Sequence, residues 1–101
     1  MAKMYHIETL KPRVEMEELE TFLQDEALPY WRGRGFEVKF YVTFHGLGYG
    51  PIWFFTGMDA IGDMDGWEEK ALGEAEGRRI MAKLHSMTEV VQANVVRDIE
   101  A

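Results

Sequence analysis

The cleanest alternation in the chain runs from Glu37 to His45. Val38, Phe40, Val42 and Phe44 interleave there with Lys39, Tyr41, Thr43 and His45. A period of two sends successive side chains to opposite faces of a strand, so this segment belongs to a sheet with two different environments. Met4 to Leu10 alternates as well, with Tyr5, Ile7 and Thr9 set against His6 and Glu8, and Lys11-Pro12 is expected to break it. Ile52 to Met58 is apolar on both sides, which predicts a strand that is central or covered on both faces. A last strand is expected over Val90 to Arg97. Its register is open, so Gln92 and Asn94 can join either face.

Two stretches carry the helical period instead. Met16, Leu19, Leu23, Ala27 and Tyr30 recur at steps of three and four, behind a first turn crowded with Glu15, Glu17, Glu18 and Glu20. Pro29 is expected to kink or end this helix, leaving Tyr30 and Trp31 in a distorted last turn before Gly33 and Gly35 stop it. From Trp67 to about Thr88 the chain is helical again, in two pieces around Gly73 and Gly77, with Ile80, Leu84 and Met87 as its apolar stripe. The order β-α-β-β-α-β predicts an α+β ferredoxin-like plait: one domain over residues 1–101, an antiparallel four-stranded sheet with both helices on one face. Trp53 or Phe55 then falls on the other face. A second copy of the same sheet is the simplest cover, so a homodimer is expected.

Composition narrows the functions. The 101 residues are 47% hydrophobic and 13% aromatic, enough for one folded core and against disorder. Eighteen acidic residues against 11 basic give a net charge of −7, and the densest basic run, Arg32 to Arg34, holds only two arginines. Nucleic acid and anionic lipid need a basic surface, so neither is an expected partner. The absence of cysteine excludes disulfides, thiolate catalysis and cysteine metal sites. "MAKMYHIETL" has no leader-like apolar core and no apolar run is long enough to span a membrane, so a cytoplasmic location is expected.

Two motifs invite chemistry and decline it. "HGLGYGP" follows a strand but leads into "IWFF", another strand, with no lysine, serine or threonine after its last glycine. A phosphate loop must open a helix, so this is a glycine-rich hairpin. "DMDG" imitates part of a calcium loop, but with Gly66 at the sharp turn the first and twelfth ligand places fall on Ile61 and Leu72. The bland reading is a loop whose Asp65 caps the helix near Trp67.

The candidate chemistry rests on histidine and aromatic residues. If Val38 and Phe40 face the helices, His6, Glu8, Lys39, Tyr41, Thr43 and His45 share the other face. His6 or His45 would then be a proton acceptor and Tyr41 a donor to a developing oxyanion. A polar dimer interface in which these groups satisfy one another is the alternative. Trp31 and Trp67, at helix ends, would form the mouth of a pocket. Trp53, Phe55 and His85 complete the candidate ligand-binding set. No HxH or HxxxH spacing is present, and neither a metal nor another cofactor is expected.

"YHIETLKP", "LPYWRGRGF", the hairpin "VKFYVTFHGLGYGPIWFF", "EGRRIMAKLHSM" and "VVQANVVRDI" together resemble the dimeric α+β barrel superfamily, in particular its small NIPSNAP-like and antibiotic-biosynthesis-monooxygenase-like proteins. The resemblance implies two four-stranded sheets facing each other in a homodimer. It also implies a small hydrophobic ligand, bound or slowly transformed by cofactor-independent oxygenase or isomerase chemistry. A non-catalytic ligand-sensing or structural module is the alternative within the same superfamily. The haem-degrading members carry an asparagine on the first strand, where this chain offers His6 instead.

Overall fold

A computed structural model describes residues 4–43 and 52–100. The elements follow the expected order: β1 (Met4–Pro12), α1 (Met16–Phe22), α2 (Leu28–Gly33), β2 (Val38–Val42), β3 (Ile52–Met58), α3 (Met64–Leu72), α4 (Ala75–Met87) and β4 (Thr88–Arg97). The strands form one antiparallel sheet in the order β2-β3-β1-β4, the ferredoxin-like arrangement. The glycine-rich hairpin and His45 fall outside the described residues.

β1 extends through Pro12 rather than stopping at Leu10, because Lys11 and Pro12 still pair with Glu89 and Thr88 of β4 beyond a bulge at Thr9/Leu10. Proline is tolerated near a strand end next to a bulge. Leu10, Ile52, Phe54 and Val38 from the sheet meet Leu19, Phe22, Leu23, Ala27, Trp31, Ile80, Leu84 and Met87 from the helices in one buried cluster. The Cα extents, 35 × 34 × 19 Å, are those of one sheet and one helix layer, with no third layer behind the sheet among the described residues.

Pro29 does not end the first helix. Leu23–Ala27 instead forms a π-turn between α1 and α2, where the Leu28 N–H reaches the Leu23 carbonyl. The wider turn accommodates the proline ring upstream of Pro29 and re-phases the helix, so Trp31 points into the core at 2% exposure. Gly35, at φ 83°, then reverses the chain in a left-handed turn, with the Phe36 N–H donating to the Trp31 carbonyl at 3.1 Å.

The second helical region does split, at Gly73-Glu74. Gly77 is not part of that break. It lies buried inside α4, where an added Cβ would stand 2.1 Å from the Ala71 carbonyl oxygen. Asp65 does not cap α3 either: the helix starts at Met64. Asp63 uses its carboxylate to accept the Asp59 and Ala60 N–H groups at 3.1 Å, pinning the preceding loop.

Candidate functional site

Strand register decides which side chains meet. His6 stands opposite Thr56, Glu8 opposite Phe54 and Leu10 opposite Ile52, and these β3 partners are all buried against the helices. Residues directly paired across antiparallel strands point to the same face. His6 and Glu8 therefore lie on the helix side. Lys39 and Tyr41 pair with Phe55 and Trp53 on the opposite side. This corrects the shared polar face expected from the sequence: β1 is turned over by one residue, so Tyr41 and His6 cannot act on one molecule within a protomer. Gln92 and Asn94, paired with Thr9 and Ile7, take the open face.

On the helix side a cavity of about 330 Å³ remains between the layers. Its floor is formed by His6, Glu8, Val38, Phe54 and Thr56, and its roof by Trp31, Phe36, Trp67, Ala71, Leu72, Met81 and His85. The aromatic wall follows from the helix re-phasing. Trp31 lies 5.3 Å from Phe54 with the ring planes 16° apart, and Phe40 stacks on Phe54 at 4.3 Å. Trp67 meets the His6 imidazole edge to face at 5.7 Å.

The polar content is small and concentrated. His6 Nδ1 sits 3.8 Å from Glu8 Oε1, with the two side chains 21% and 23% exposed. At that separation the two groups do not hydrogen-bond, and the carboxylate keeps acceptor capacity. Thr56 is the one polar member of the buried row Ile52, Phe54, Thr56, Met58. His85 reaches the cavity from the exposed flank of α4. Among the described residues no three histidines or carboxylates converge as a metal would need.

The cavity thus gathers His6, Trp31, Trp67 and His85 from the expected set. Tyr41, Trp53 and Phe55 lie on the other face, away from it. There Phe55 holds Tyr41 edge to face at 5.2 Å and Tyr5 at 6.2 Å, while Trp53 and Tyr41 stay 46% and 51% exposed. Phe36, Ala71 and Met81 were not anticipated. Only the glycine turn at Gly35, which folds Phe36 back beside Trp31, leaves a trace in the sequence.

Next to the cavity, and sharing its Phe36 and Trp67 walls, a larger cleft of about 710 Å³ is edged by Glu37, Asp59, Asp63 and Lys70. The Lys70 ammonium lies 5.1 Å from the Phe36 ring. Exposed ion pairs line the outside of the helix layer. Hydrogen bonds from Lys83 and then Arg79 hold the Glu26 carboxyl below its ordinary value. Arg34 does the same for Glu74, and Arg79 for Glu76.

Solved structures share this fold at low sequence identity. A NIPSNAP family protein from Agrobacterium tumefaciens strain C58 superposes with a TM-score of 0.76 at 14% identity, over 99% of this chain and 90% of that one. A dimeric protein of unknown function with a ferredoxin-like fold, from Bacteroides fragilis, gives 0.59 at 15% identity, over 97% and 98%. No protein-family model matches the chain, and no curated protein matches it. At such identities the likeness is one of fold, and it agrees with the resemblance drawn from the sequence.

Proposed function

We propose that two copies of the chain pair through their open sheet faces, and that each protomer binds a small, mostly hydrophobic organic molecule in the cavity between sheet and helices. The observation that carries this reading is the cavity itself: aromatic and aliphatic walls around one imidazole–carboxylate pair, the composition expected of a small-molecule site. Pairing is supported by the edge-to-face row Tyr41, Phe55, Tyr5 and the half-exposed Trp53, which no element among the described residues covers. It is supported too by the dimeric Bacteroides neighbour.

If the bound molecule is transformed, His6 is the group to take its proton. Glu8 lies on the Nδ1 side, which favours a protonated Nδ1 and leaves Nε2 as the base. Oxygenase or isomerase chemistry without a metal then needs an acidic C–H or O–H on the ligand. A non-catalytic ligand-sensing module would use the same contacts without turnover.

The test is a native mass spectrum of gently purified protein, wild type beside His6→Ala and Ala71→Leu. The expected wild type is a dimer with one discrete extra mass per protomer. Ala71→Leu, which fills the cavity roof, should keep the dimer and lose that mass. His6→Ala should weaken ligand retention and abolish turnover of whatever molecule is identified. A monomeric wild type, or ligand retained undiminished in the filled variant, would overturn the reading.

A further inference from the structure

We infer that the ligand of this cavity is an organic cation, an amine carried on an apolar body, with its ammonium group on Glu8. The inference rests on the cavity-binding reading above and adds the chemistry of the molecule.

Among the cavity-lining residues, Glu8 is the one carboxylate. The lining holds no lysine or arginine, only His6 and His85 as further titratable groups. The only ion-pair partner of the Glu8 carboxylate among the described residues is His6, at 3.8 Å, beyond hydrogen-bonding distance. A partly buried carboxylate with unfilled lone pairs gains most from a ligand that brings both N–H donors and positive charge. A ligand carboxylate would meet repulsion there, and a neutral apolar ligand would cover Glu8 without satisfying it.

The walls point the same way. Trp31, Phe54 and Trp67 bring aromatic rings to this space, which suit the apolar body of such a ligand. The adjoining cleft, which shares Phe36 and Trp67 with the cavity, sets Glu37, Asp59 and Asp63 against Lys70 alone. That imbalance, within a chain of net charge −7, draws a cation inward and disfavours an anion.

The test uses three probes of one shape: 4-phenylbutylamine, 4-phenylbutan-1-ol and 4-phenylbutyrate. Each is titrated into the full-length protein and followed by calorimetry and by tryptophan fluorescence. The amine should bind about tenfold more tightly than the alcohol, the size expected of one charge-assisted hydrogen bond at a partly exposed site, with the acid weakest. Glu8→Gln, close in shape, should bring the amine level with the alcohol. The wild-type ranking stands as a test even if that variant folds poorly. Alcohol or acid binding as tightly as the amine would overturn the inference and leave the cavity reading intact. No binding by any of the three would overturn the cavity reading, and this inference with it.

Discussion

The two faces of this sheet are made by the same strands and have opposite fates. On β3, Ile52, Phe54, Thr56 and Met58 are buried under the helices, while Trp53 and Phe55 look out from the bare side. Both rows are rich in aromatic rings, so composition does not separate them; the neighbours do. The inner rings stack nearly parallel with Trp31, an arrangement held from above by α2, and the gap left over is the cavity. The outer rings meet edge to face along the sheet surface, with no other element of the described residues above them. A tryptophan on the inner face is therefore a stability residue of the protomer, and one on the outer face is where the proposed pairing is to be tested.

Trp31 and Trp53 turn that contrast into measurements. Trp31→Ala removes the ring that ties α2 to Phe54 and Phe40, and should lower the unfolding free energy by about 3–5 kcal/mol in urea titrations. A loss under about 1 kcal/mol, the range of ordinary surface changes, would mean the inner stack is loosely packed. Trp53→Glu should act differently. It should weaken the dimer by about a hundredfold, close to 3 kcal/mol, in sedimentation or native mass measurements, with the protomer's circular dichroism unchanged. A dimer indifferent to this charge would show that the open face is not the interface.

The cavity roof allows a third test, smaller again. Gly77→Ala would push a methyl group into the Ala71 carbonyl oxygen and against Tyr30 Oη, at 2.1 and 3.0 Å. Backbone cannot yield as a flexible side chain would, so α3 and α4 must part. A destabilisation of about 1–3 kcal/mol is expected, together with weaker ligand binding because Ala71 and Leu72 line the roof. Unaltered stability would mean the α3–α4 junction is slack, and with it the roof.

Much of this contrast was legible in the sequence, and its limits have physical causes. The alternations from Val38 to Val42 and from Met4 to Leu10, and the Ile80, Leu84, Met87 stripe, gave the elements, their order and the ferredoxin-like sheet, because each period matches one backbone geometry. The outward aromatic face was readable too, from Trp53 and Phe55 alternating with Ile52 and Phe54 on β3. The joint site was not. Which of two alternating rows faces the helices changes with a one-residue shift, and β1 offered Tyr5, Ile7 and Thr9 as a plausible inner row against His6 and Glu8. Placing two polar residues inward runs against the usual rule, so the pattern alone pointed the wrong way. The position of Trp31 was equally hidden, since it depends on a π-turn that absorbs Pro29 several residues upstream.

The smallest effect belongs to neither face but to the outside of the helix layer. Arg79 bridges Glu26 and Glu76 there, Lys83 also reaches Glu26 at 3.0 Å, and Arg34 grips Glu74 with two bonds of 2.8 Å. The carboxyls of Glu26, Glu74 and Glu76 are held below their ordinary value of 4.5. A carboxyl whose folded value is depressed adds stability above its unfolded value and loses it as pH falls through the folded one. The loss should therefore begin near pH 4.5 and deepen toward lower pH, with no contribution from these groups on the alkaline side. Because all of them are exposed, solvent and salt screen them, and the change in melting temperature should be modest and largely erased by about 1 M salt. Glu26→Gln removes the carboxylate shared by Arg79 and Lys83, so its melting curve should fall less steeply than the wild type's through this acid range. Parallel curves would mean that these bridges do not persist in solution. Dimer dissociation and probe binding should be insensitive to Glu26→Gln near neutral pH, because Glu26 touches neither the open face nor the cavity.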